Sequence, residues 1–88
     1  MNRAEQKILR EIKSLKPGDT FQDDGYKCHI VANLKKDDRI VFKHYGKHKR
    51  HWHYHIEHYY WFELKMLTNE QGTTLGNRRP IEFKRKKR

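Results

Sequence analysis

An 88-residue chain of which 34% is hydrophobic holds material for one small core and no second domain of ordinary size. Its 21 Lys and Arg against 11 Asp and Glu leave a net charge of +10 before histidine is counted. That excess bears on polyanionic partners rather than on fold. No stretch approaches the roughly 18 apolar residues of a membrane span, the opening MNRAEQKILR lacks a signal peptide's apolar run, and the lone Cys28 rules out an internal disulfide and any multi-cysteine zinc motif.

Residues 2–16 predict an amphipathic helix. Ala4, Ile8, Ile12 and Leu15 recur at helical spacing, Leu9 widens the stripe, and Asn2 with Glu5 resembles a capping box. Arg3, Lys7 and Arg10 lie opposite, and Pro17-Gly18 ends the segment. Residues 26–33 alternate as a strand, with Tyr26, Cys28, Ile30 and Ala32 on one face and Lys27, His29, Val31 and Asn33 on the other. After the polar turn Lys35-Lys36-Asp37-Asp38, residues 39–45 form a second strand with Ile40 and Phe42 inward. Gly46 opens a basic hairpin loop. Residues 50–56 then alternate most cleanly, Trp52, Tyr54 and Ile56 against His51, His53 and His55.

Residues facing each other across a hairpin share a sheet face. Placing Trp52, Tyr54 and Ile56 in the core therefore pairs Phe42 with Tyr54, Ile40 with Ile56 and Arg39 with Glu57, or, with a shorter loop, Phe42 with Trp52. Either register sends the histidines outward, and a bulge would break the argument. Residues 57–67 fit two periods. As a strand they point Tyr60, Phe62, Leu64 and Met66 inward and Tyr59 and Trp61 outward; as a helix they align Ile56, Tyr60, Glu63, Leu64 and Leu67. Aromatic density favours the strand. The expected domain spans 1–67. Residues 68–88 read as a polar loop, a short edge strand at 80–84 and a basic flexible tail ending in Lys84-Arg85-Lys86-Lys87-Arg88.

Six of the 7 histidines fall between His44 and His58. His51 and His53, two apart on a strand, are near enough to share a metal, but His55 lies too far from His51 to join them. Further ligands would have to come from His29 or Glu57, so His51 and His53 are weak metal candidates. No cofactor is expected. No nucleotide-binding, hydrolase or zinc-protease motif occurs, and Cys28 and His29 point to opposite faces of their strand. A zinc-dependent hydrolase is the minor reading; the expectation is a protein without catalytic activity.

Nucleic-acid binding has the strongest physical support. Arg39, Lys43, Lys47, Lys49 and Arg50, with Arg85, Lys86, Lys87 and Arg88 of the tail, are the expected phosphate contacts. Tyr45, His51, His53, His55, Tyr59 and Trp61 are the expected base-facing groups. DNA and RNA are equally compatible. The alternative partner is an acidic protein surface, such as that of a nucleic-acid enzyme docked by a small modulator of the kind found in bacteriophages and mobile elements. No membrane contact is expected. The localisation that fits is intracellular, reducing and cytoplasmic.

Leu15-Lys16-Pro17-Gly18-Asp19-Thr20-Phe21, followed by short strands, resembles the entry to a small SH3-like barrel. The resemblance covers about residues 15–67 and implies a role in nucleic-acid or protein binding. The expected fold is thus α+β: an N-terminal amphipathic helix packed on a strongly curved antiparallel β-sheet or SH3-like barrel.

Overall fold

The computed structural model describes residues 3–23, 25–46, 48, 50–70 and 81–87. Helix α1 (Arg3–Lys13) is followed by strands β1 (Thr20–Asp23), β2 (Tyr26–Leu34), β3 (Arg39–Gly46) and β4 (His51–His58), helix α2 (Tyr59–Glu70) and strand β5 (Phe83–Lys84). The fold is α+β. Its antiparallel sheet has five strands in the order β4-β3-β2-β1-β5. It does not close, because closure requires its two edges to pair. After β4 the chain turns into α2, and β5 pairs with β1, which leaves β4 and β5 as edges. The SH3-like barrel is not formed.

Both helices pack on one sheet face. Ile8 and Ile12 of α1, with Leu15 just beyond it, meet Phe21, Cys28, Ile30, Ile40 and Phe42 from the sheet, Tyr59 and Phe62 from α2, and Ile81. Phe21 is central, with Phe42, Phe62 and Phe83 edge-on at centroid distances of 5.0, 5.5 and 5.8 Å. Burying side chains of this size contributes about 1.5–3 kcal/mol each.

Asn33 joins the helices. Its Nδ2 donates to the carbonyls of Ile12, Lys13 and Leu15 at 3.1, 3.2 and 3.0 Å, capping the end of α1. Its Oδ1 accepts from the Tyr59 hydroxyl. Strict alternation had placed Asn33 on the outer face with His29. A register shift between Ile30 and Ala32 reverses the order, so that Asn33 stands opposite Ile40 and Ala32 opposite Val41.

Segment 57–67 is not a strand. Helix α2 takes over at Tyr59, and its first turn is capped by His58, whose Nδ1 accepts from the Tyr60 amide at 3.0 Å. The helix buries Tyr59 and Phe62 and half-buries Met66, leaving Tyr60 and Leu64 exposed. Its core stripe is therefore one residue away from the helical stripe expected through Tyr60 and Leu64.

The C-terminal segment packs back on the fold through Ile81, Phe83, Arg85 and Lys86. Ile81 is buried and Phe83 packs against the core. Asp19, at 0% exposure, accepts from the Lys16 amide (2.9 Å), the Lys86 amide (2.9 Å) and Arg85 Nη1 (3.2 Å). Arg85 Nη2 also donates to the Glu11 carbonyl and Ser14 Oγ. The edge strand expected at 80–84 is present at Phe83–Lys84.

Candidate nucleic-acid interface

The hairpin between β3 and β4 decides what the open sheet face displays. The last pair is Gly46 with His51, and Arg50, at φ 48°, donates its amide to the Gly46 carbonyl at 2.9 Å. A loop of 47–50 is one residue longer than the expected register needs. That one residue pairs Phe42 with His55, Ile40 with Glu57 and Val41 with Ile56, and so sends every β4 side chain to the opposite face. The expected outward plate of His51, His53 and His55 does not exist.

Those histidines lie on the helix-bearing side, the face of Ile40 and Phe42. His55 rests on Phe42 with centroids 5.1 Å apart and planes 23° from parallel. His44 Nδ1 and His55 Nε2 are 2.9 Å apart, close enough for one ring to donate to the other. His53 lies beside His44 at 5.1 Å and covers Gly46, where an added Cβ would come within 2.5 Å of its Nε2. Among the described residues no group of three or more His, Cys, Asp or Glu could hold a metal ion, His51 and His53 included.

The outer face carries Trp52, Tyr54 and Ile56 instead, 42%, 63% and 59% exposed. Among the described residues no helix covers them. Tyr45 stands opposite Trp52 with its ring edge-on at 5.5 Å, and His29 is also edge-on to Trp52 at 5.5 Å. Lys43 stands opposite Tyr54. Its Nζ is 4.6 Å from the centre of the Trp52 ring and 5.9 Å from that of Tyr54, a cation–π arrangement. Arg39, Lys27 and Lys84 occupy further positions on this face. Among the described residues none of its paired strand positions is acidic; Asp23 and Glu57 belong to the opposite face.

Partial burial and the neighbouring Lys27 and Lys43 push the His29 imidazole below its ordinary value of 6.5. Cys28 points the other way, into the core, and burial raises its thiol to about 12, so it is no nucleophile.

No family model matches the chain, and no curated protein or solved structure matches it either. The chemistry is therefore read from the side chains themselves.

Of the residues expected from sequence, Arg39, Lys43 and Tyr45 share the open face. Tyr59 does not: it is 2% exposed, so it offers no stacking surface. Trp61 is half-buried between Phe42, at 5.6 Å and 26°, and the Lys65 ammonium, 4.3 Å from its centre. Arg50 is exposed at the hairpin tip, while Lys47 and Lys49 lie outside the described residues. Arg85 is engaged by Asp19, Lys86 runs over Gly18, Lys87 is exposed, and Arg88 lies outside the described residues. Trp52, Tyr54, His29 and Lys84 share the open face but were not among the expected binding residues. Their alternation was visible; only the choice of face was wrong.

Proposed function

We propose that this chain is a small nucleic-acid-binding protein without catalytic activity, and that its open sheet face is the binding surface. The observation that carries the reading is the exposure of Trp52 and Tyr54 on a face that no described helix covers, with the Lys43 ammonium between them. Aromatic faces on which bases stack, next to cations that neutralise phosphates, are the two components of non-specific nucleic-acid recognition. The absence of acidic side chains from the described paired strand positions of this face adds support.

Titration with labelled DNA and RNA over a range of salt tests the reading. Each phosphate neutralised on a single strand contributes roughly −0.7 to the log–log salt slope, so four contacts give about −3. Trp52→Ala is expected to cost about 1–3 kcal/mol of binding, the range for one stacked base. Affinity that ignores both salt and Trp52 removes the proposal.

Ile56, 59% exposed and paired with Val41, favours a second reading: docking on a protein surface that is acidic at its rim and apolar at its centre. Retention of one stoichiometric protein partner after nuclease treatment would select that reading over the first.

A further inference from the structure

The open face has a direction. Reading across the ladders, Tyr54 of β4 pairs with Lys43 of β3, Lys43 with His29 of β2, His29 with Thr20 of β1, and Thr20 with Lys84 of β5. These residues form one row running from edge to edge at right angles to the strands. Neighbouring strands lie about 4.8 Å apart, so the row is about 19 Å long. Its β4 end is aromatic, with the Lys43 ammonium over the Trp52 ring and His29 edge-on to that ring. Its β5 end is a lysine at the outermost strand.

We infer, resting on the nucleic-acid reading above, that the ligand is a single strand laid along this row. Unpaired bases meet Tyr54 and Trp52, and the backbone runs past Lys43 and His29 to Lys84. Two arguments exclude a duplex from the same surface. Bases inside a helix are already stacked on each other, so exposed aromatic faces gain nothing from them. A B-form major groove is about 12 Å wide and admits a helix or a two-stranded ribbon, whereas this row crosses five strands. A cationic row also suits a polyanion better than it suits an apolar partner.

Lys43 acts at the point of entry. Its Nζ sits over the Trp52 ring and within reach of the Tyr54 ring. A phosphate linking two stacked bases draws the ammonium off the indole and uncovers the ring for the base. A run on the order of four nucleotides fills the row, at the low end of site sizes known for single-strand binders.

The test uses the full chain with fluorescent oligonucleotides of about three and about eight nucleotides and a blunt hairpin duplex of the same composition. The eight-nucleotide strand should bind at least about tenfold more tightly than the duplex. Trp52→Ala and Tyr54→Ser should each weaken both strand lengths. Lys84→Glu should weaken the longer strand and spare the shorter one, which stacks at the β4 end. Amide and indole resonances give a readout independent of affinity: those of Trp52, Lys43, His29, Thr20 and Lys84 should shift together on adding the longer strand. Duplex binding as tight as single-strand binding, or loss of both strand lengths in Lys84→Glu, overturns the path while leaving the nucleic-acid reading intact. Failure to bind strand or duplex at low salt overturns both.

Discussion

The Arg85 guanidinium donates to the Asp19 carboxylate across 3.2 Å, and that carboxylate is closed off from solvent. The pair ties the turn after α1 to the C-terminal segment, 66 residues further along the chain. Removing the acid leaves two backbone amides without this acceptor, while Arg85 keeps the Glu11 carbonyl and Ser14 Oγ; removing the arginine leaves the acid those amides. Asp19→Ala should therefore cost about 2–4 kcal/mol in urea unfolding, mostly from the two amides. Arg85→Ala should cost about 1–2 kcal/mol, because its side chain is partly in water. With its charge committed to Asp19, Arg85→Ala should leave the salt slope of nucleic-acid binding unchanged.

Asn33 serves three carbonyls of α1 and one hydroxyl of α2. Asn33→Leu keeps the volume but leaves the α1 carbonyls and the Tyr59 hydroxyl without this partner. The expected loss is about 2–4 kcal/mol by chemical denaturation, against about 1 kcal/mol for Tyr59→Phe, which leaves the carbonyl contacts in place. Equal losses would show that the helix cap contributes nothing.

Stability should fall at alkaline pH. Burial raises Cys28 from 9.0 to about 12 and raises Tyr59 above 10.0, Asp38 adding to the latter. Both groups hold their protons longer folded than unfolded, so their contribution is complete below the unfolded values and is lost as pH climbs from about 9 toward 12. Cys28→Ala should flatten the first part of that decline in a series of thermal melts. In the native protein the thiol should react with alkylating reagents only through unfolding.

His29 works in the acid direction. Its folded value lies below 6.5, so the unfolded chain takes up a proton first and stability declines as pH drops from 6.5 toward the folded value. A bound phosphate reverses the local balance by favouring the charged ring. Affinity for a single strand should rise between about pH 7.5 and pH 5.5, and His29→Gln should remove part of that rise. An identical pH profile in His29→Gln would take His29 out of the binding row.

Gly18 and Gly25 offer a matched pair of alanine substitutions. Both have positive φ, 95° and 83°, but a Cβ at Gly25 meets nothing, whereas one at Gly18 comes within 2.6 Å of Lys86 Cδ. Each should lose about 1–2 kcal/mol for the backbone alone. Gly18→Ala should lose more in thermal melts, and the excess should vanish when Lys86→Ala is added.

Charge, the first helix and the second and third strands could be read directly from residue order. Ile8, Ile12 and Leu15 at helical spacing, and Cys28, Ile30, Ile40 and Phe42 at strand spacing, all reached the core as periodicity requires. Segment 59–70 could not be assigned that way, because a dense aromatic run satisfies both periods. The helix is the form that places Tyr59 against Asn33 and Phe62 against Phe21.

Sequence by itself determined which side chains alternate along 51–58; it did not determine which set faces the core. Strand periodicity is two, so one residue in a hairpin loop or one bulge exchanges the faces. Arg50 in a left-handed conformation and the shift at Val31 supply those single residues. Tertiary packing then decided the rest: imidazoles found partners in Phe42 and His44 beneath the sheet, and the indole of Trp52 was left on the open side with Lys43 for company.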